Sequence, residues 1–168
     1  MPTRENLFQF CRESPYRIIT IPHHFMKLRD WEMFDPEFDR VIEVYSTWGS
    51  YESREDNPLN TKRRPLKQSA MYAFGLGHTP GMIAAGDSHV GYPGRSLMYS
   101  DPYWCQNWKA GLAAVFAPKL TREAIWDALY DRRCYATTGA RIVLLFQLNG
   151  QSMGSILTYG KTEDALCR

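Results

Sequence analysis

Gly81-Met82-Ile83-Ala84-Ala85-Gly86-Asp87-Ser88-His89 is the stretch on which the fold turns. Its first half is an apolar run of strand length, and that run leads directly into an Asp-x-His pair. In extended backbone, alternate residues leave the same face of the chain. Asp87 and His89 therefore present a carboxylate oxygen and an imidazole nitrogen to one side, while Ser88 points away. A second stretch repeats the plan: Arg17-Ile18-Ile19-Thr20-Ile21 reads as a buried strand and delivers Pro22-His23-His24. Side chains at the ends of neighbouring parallel strands commonly assemble the sites of α/β proteins. The pattern points to an α/β fold and to part of a metal-dependent hydrolase. Mixed nitrogen and oxygen ligands suit zinc, manganese or iron better than calcium or magnesium.

Working outward, Thr3 caps a helix over Arg4–Glu13 that places Leu7, Phe8 and Cys11 on one side. Val41–Tyr45 is a second strand of strong β formers. A long polar connection, Thr47 to Pro65, carries Lys62-Arg63-Arg64 and reads as functional or mobile. The pattern predicts a helix over Lys67–Gly77, then the strand before Asp87, then a Gly/Pro-rich loop containing Arg95. Gly111–Ala117 is a short apolar strand. Thr121 caps a helix over Arg122–Arg133, with Ala124, Ile125, Ala128 and Leu129 facing inward. Arg141–Leu148 is the most β-like segment, with Ile142, Leu144, Phe146 and Leu148 on one face and Asn149-Gly150 as a hairpin turn. Helices and strands alternate as far as Ala136, which favours parallel α/β architecture. The change of character afterwards divides the chain into residues 1–139 and a following β segment, 140–168.

Composition narrows the function classes. The 168 residues are 44% hydrophobic and 23% charged, ordinary for a globular protein with a real core. Aromatic residues make up 14%, so a ring-rich interior or groove is expected. A net charge of +2 gives no case for nucleic acid or an anionic membrane as partner. No apolar run approaches the roughly 18 residues that span a bilayer. Met1-Pro2-Thr3-Arg4-Glu5-Asn6 lacks the layout of a signal peptide, and the compartment stays open. Cys11, Cys105, Cys134 and Cys167 show no Cys-x-x-Cys spacing and read as reduced thiols, Cys134 as buried packing.

Each candidate has a bland reading beside the chemical one. An isolated Asp-x-His is more often a loop aspartate beside a surface histidine; a second histidine pair at another strand end reverses those odds. His23 and His24 are adjacent and point to opposite sides, so one of them is a ligand and the other supports it or touches substrate. Glu43 lies mid-strand and needs a partner if buried: it ligates a metal, orients a ligand, or pairs with an arginine. Arg95 shares the rim with Asp87 and His89 and suits phosphate oxygens. Arg132 and Arg133 are explained by the end of a helix. His78 reads as a turn residue.

With these residues in view, the chain resembles the PHP superfamily (polymerase and histidinol phosphatase), in particular the bacterial DUF3604 group. The resemblance rests on Ile21-Pro22-His23-His24, Glu43-Val44-Tyr45-Ser46 with Trp48-Gly49, and Gly86-Asp87-Ser88-His89-Val90-Gly91-Tyr92-Pro93-Gly94. It continues through Leu120-Thr121-Arg122-Glu123-Ala124-Ile125-Trp126, Arg132-Arg133-Cys134-Tyr135-Ala136-Thr137-Thr138-Gly139, and Asn149-Gly150 with Met153-Gly154. It implies a distorted (β/α)7 barrel with divalent metals at the C-terminal ends of its strands, and members that include phosphoesterases. Carried over by position, His23 (or His24), Asp87 and His89 are ligands, and Glu43 matches a characteristic strand position. The family's first motif, a His-x-His, is absent from these 168 residues. The resemblance thus implies the C-terminal half of a barrel followed by a β-hairpin-like segment.

The expected chemistry is hydrolysis of a small phosphorylated substrate. His23, Asp87, His89 and Glu43 are assigned to divalent metal, Arg95 to phosphate charge, and His24 to proton transfer. Two alternatives stand beside it. One is an amidohydrolase-like centre acting on amides or lactones. The other is an inactive barrel fragment that works only with a partner chain or as a homo-oligomer, its open edge otherwise exposed.

Overall fold

A computed structural model describes residues 3–23, 31–52, 66–87, 89 and 109–158. The first helix, α1 (Arg4–Glu13), forms where the sequence puts it. Thr3 Oγ1 accepts from the Asn6 N–H at 3.3 Å and Asn6 Oδ1 accepts from the Thr3 N–H at 2.8 Å, a reciprocal cap. Its buried face is Phe8 and Cys11, packed on Phe38 and Ile18, whereas Leu7 is 46% exposed, contrary to the expected facing.

Two strands form the centre, β1 (Val41–Ser46) and β3 (Gly81–Ala84), which run parallel with Val41 opposite Gly81 and Glu43 opposite Ile83. A two-residue strand, β2 (Gly49–Ser50), folds back antiparallel onto the end of β1. All six residues of β1 are buried, as expected of a parallel strand covered on both faces. Ile42 and Val44 pack with Trp31, Tyr51, Ala70 and Ala73 on one face; Val41 packs with Ile83 and Cys134 on the other. The first of these layers includes helix α2 (Ala70–Gly75), shorter than the predicted Lys67–Gly77 because Ser69 is its cap: Ser69 Oγ accepts from the Tyr72 N–H at 3.2 Å. A separate 3-10 turn precedes it over Leu66–Gln68.

Beyond β3 the chain forms β4 (Leu112–Val115), α3 (Arg122–Tyr130) and β5 (Cys134–Thr137), with β4 and β5 antiparallel. Gly111 makes the junction with β3: its N–H donates to Ala85 O at 2.9 Å, and a Cβ there would lie 2.5 Å from the Ala84 Cβ. Helix α3 stops before the predicted Arg133 because Arg132 adopts a φ of +61°.

Two predicted strands do not form as such. Arg17–Ile21 runs beside β1 without a ladder, tied by the Thr20 N–H to Phe38 O at 2.9 Å and by the Glu43 N–H to Pro22 O at 3.3 Å. Within Arg141–Leu148 only β6 (Gln147–Leu148) pairs, with β7 (Gln151–Ser152). The turn between them is Asn149-Gly150, both at positive φ, as a two-residue hairpin demands. Ile142 through Phe146 form no ladder and lie exposed, Val143 to 83% and Leu145 to 73%, with no described strand alongside. The described strands form sheets of three, two and two strands, with no closed barrel among the described residues. No described helix is long and apolar enough to cross a membrane.

Candidate metal centre

Parallel β1 and β3 end on the same side of the sheet, and their C-terminal extensions meet there. Thr47 N–H donates to Gly86 O at 3.3 Å and Ala85 N–H donates to Tyr45 O at 3.0 Å, so the two chains stay in register past the strands. Asp87 is therefore delivered to the edge above Glu43. The third contributor, His23, arrives on the segment beside β1. Thr20 fixes that segment through its hydroxyl, which donates to buried Asp39 at 2.6 Å; Asp39 in turn meets Arg4 of α1 at 3.1 Å.

The resulting constellation brings four side chains into one connected chain of contacts. His23 Nδ1 lies 2.9 Å from Glu43 Oε1, and His23 Nε2 lies 3.4 Å from Asp87 Oδ2. The other oxygen of Asp87, Oδ1, lies 3.0 Å from His89 Nε2. Both carboxylates are sunk beneath the imidazoles: the side chains are 6% exposed for Glu43 and 8% for Asp87, against 42% for His23 and 48% for His89. Solvent reaches the imidazoles and not the acids. Burial pushes the Glu43 carboxyl above its ordinary value, the adjoining His23 pulls it back, and the Asp87 charge adds to the rise.

Proton bookkeeping makes the site chemically pointed. With Glu43 ionised, His23 Nδ1–H donates to it, which turns Nε2 toward the site. His23 Nε2 faces Asp87 Oδ2 across 3.4 Å. A ring nitrogen and a carboxylate oxygen at that distance can share a proton or, with it removed, both turn to a metal ion. A carboxylate on one ring nitrogen with the other turned to the site is the arrangement by which proteins orient metal-binding histidines. The donor set of two imidazoles and a carboxylate fits a borderline transition ion. Among the described residues no three His, Cys, Asp or Glu side chains form a ready ion cage; here the donors close on one another in pairs.

His23, Glu43, Asp87 and His89, all picked out in the sequence, are thus brought together, and among the described residues Glu43 meets His23. His24 and Arg95 lie outside the described residues, as do Arg63 and Arg64. His78 sits elsewhere, its Nε2–H donating to Trp31 O at 2.8 Å and its ring stacked on Phe34. Arg132 donates to Gly154 O at 3.1 Å and Arg133 to Phe116 O at 3.3 Å, both structural contacts away from this edge. Thr47 and Trp48 were not candidates, yet both touch the backbone of Asp87. Their only signal in the sequence is the Thr-Trp-Gly that follows the Glu43 strand.

Residues 95–154 match the family DUF3604, described as a protein of unknown function. The match supports the DUF3604 group reached from the sequence motifs, and His23, Glu43, Asp87 and His89 lie before the matched stretch. An uncharacterized protein of Chlamydia pneumoniae is 35% identical over 144 residues, covering 78% of this chain and 21% of the relative. Uncharacterized proteins of Chlamydia muridarum and Chlamydia trachomatis are each 31% identical, covering 89% of this chain and 25% of the relative. The chain therefore spans a quarter or less of the length of these relatives. No solved structure matches.

Proposed function

We propose that this chain carries part of the metal site of a PHP-type hydrolase that cleaves phosphate esters. One observation carries the reading: a buried carboxylate, Asp87, held between the Nε2 atoms of two half-exposed histidines, with a second buried carboxylate on the far nitrogen of one of them. His23, Asp87 and His89 would hold a divalent zinc, manganese or iron ion. Such an ion supplies hydroxide near neutral pH and neutralises charge on phosphate oxygens.

The remaining roles belong to the chain itself. Glu43 keeps the His23 ring turned with Nε2 toward Asp87 and holds the proton on Nδ1. Asp87 sets the spacing between the two imidazoles. The exposed sides of His23 and His89 leave the substrate an approach from solvent. On sequence grounds Arg95 neutralises the phosphate and His24 carries a proton to the leaving oxygen.

The test is direct. Purified protein is analysed for bound metal and assayed on aryl phosphates, aryl esters and aryl amides. The reading expects metal that depends on Asp87 and turnover of phosphates alone. Metal-dependent hydrolysis that survives Asp87→Ala would overturn it. A preference for amides would favour the amidohydrolase alternative. A second reading, a site completed only by further polypeptide, is favoured by exposed Ile142–Phe146 and by relatives of which this chain covers a quarter or less. It expects metal binding without turnover.

A further inference from the structure

Asp87 holds its carboxylate in the site from a backbone conformation that disfavours it. Its φ is +45°, in the left-handed region that costs an L-residue roughly 1–2 kcal/mol. His89 shares the feature at +57°. Such strain persists only where surrounding contacts over-determine it.

Among the described residues, the contacts to the Gly86 and Asp87 carbonyls include those of Thr47-Trp48, the turn between β1 and β2. Trp48 Nε1–H donates to Asp87 O at 3.2 Å. The Thr47 hydroxyl lies 3.0 Å from Gly86 O and 3.3 Å from Asp87 O, its single proton shared between the two carbonyls. The Thr47 N–H donates to Gly86 O as well. Thr47 is fully buried, so its hydroxyl has no water to turn to. The indole of Trp48 also stands 6.4 Å from the His89 ring, walling that imidazole on one side.

We propose that Thr47 and Trp48 are positioning residues: a clamp on the Gly86 and Asp87 carbonyls that locks Asp87 left-handed and so aims its carboxylate between His23 and His89. The idea rests on the metal reading for its purpose, though not for its geometry. Neither residue touches the ion or substrate. With the Asp87 carbonyl fixed from the β1 side, its carboxylate oxygens lie 3.4 Å from His23 Nε2 and 3.0 Å from His89 Nε2. Releasing the clamp lets the backbone relax to negative φ and swings the carboxylate away.

The test uses Trp48→Phe, which removes one N–H and keeps a ring, Thr47→Val, which removes the hydroxyl at constant volume, and Thr47→Ser as the conservative rescue. Zinc affinity of the full 168-residue chain is measured by competition with a chelator. The ¹³Cα and ¹³Cβ shifts of Asp87 in metal-free protein report its φ. The clamp expects about tenfold weaker zinc binding in Trp48→Phe and Thr47→Val, at the low end for outer partners of metal sites. It expects Asp87 shifts moving toward negative-φ values in both, and Thr47→Ser restoring each. Unchanged Asp87 shifts in Trp48→Phe would overturn it, whatever the affinity does. If wild-type protein binds no zinc, the metal reading falls and the shifts alone decide the clamp. Should Thr47→Val fail to fold, Trp48→Phe against Thr47→Ser gives the same decision.

Discussion

Replacing Asp87 by glycine and, separately, by alanine separates the cost of the site from its use. Both variants delete the carboxylate; only glycine is at ease at φ +45°. The left-handed penalty relieved by glycine is about 1–2 kcal/mol. Its extra unfolded-state entropy takes back about 0.5–1 kcal/mol. Asp87→Gly should therefore exceed Asp87→Ala in stability by about 0.5–1 kcal/mol. For a chain of this size that is about 1–4 °C in Tm. The lost contacts to His23 and His89 are common to both variants and cancel in the comparison. Removing the Asp87 charge also relieves the buried Glu43 carboxyl beside it. Asp87→Gly should then melt above Asp87→Ala while zinc binding disappears from both variants. Scanning calorimetry with chelator present gives the stability difference, and zinc titration gives the binding. An alanine variant as stable as the glycine variant would show that the left-handed conformation is not held in solution, and the strained-site reasoning would fail with it.

Further outcomes follow from other parts of the molecule. Gly111→Ala places a Cβ 2.5 Å from the Ala84 Cβ and 2.8 Å from Tyr45, so overpacking should destabilise by about 1–3 kcal/mol; a melting point equal to wild type would refute the close approach. The Cys134 thiol is buried and pushed up to about 11, so it should stay unalkylated by iodoacetamide at pH 8 in native protein and react once urea is added, as peptide mapping can show. Glu43 has its folded pKa raised by burial, so its contribution to stability is present below pH 4.5 and lost as pH rises through the folded value. The Tm of Glu43→Gln relative to wild type should accordingly climb between pH 4 and pH 7, and a falling difference would contradict the burial. Val143→Glu with Leu145→Lys replaces two largely exposed side chains and should shift stability by less than about 0.5 kcal/mol per site while raising solubility; a large loss of stability would mean that the stretch is covered.

The sequence was most informative where a local rule fixed the outcome. Thr3 and Thr121 cap their helices because a side-chain oxygen three residues before a free N–H needs nothing from elsewhere in the chain. Asn149-Gly150 makes its turn for the same kind of reason, since both residues tolerate positive φ. Of the β-like stretch Arg141–Leu148 only Gln147–Leu148 pairs, because strand propensity describes a residue's fit to a sheet, and no described sheet runs beside the rest. The expected common face for Asp87 and His89 assumed extended backbone; both residues are left-handed, so they meet as neighbours in a tight bend.

What the sequence by itself determined is which groups are available: imidazoles and carboxylates at the ends of apolar runs, where a covered sheet leaves its strand ends open. Only the tertiary structure decided how they are used. The parallel register of β1 against β3 sets Asp87 above Glu43, and the Thr20 and Asp39 contact sets His23 between them. Hydrogen bonds that join residues 20 or more positions apart leave no trace in local pattern, because their partners are chosen by packing and not by spacing. The Thr47 and Trp48 contacts to Asp87 are of that kind, made by a hydroxyl and an indole whose partners are backbone carbonyls that every residue possesses.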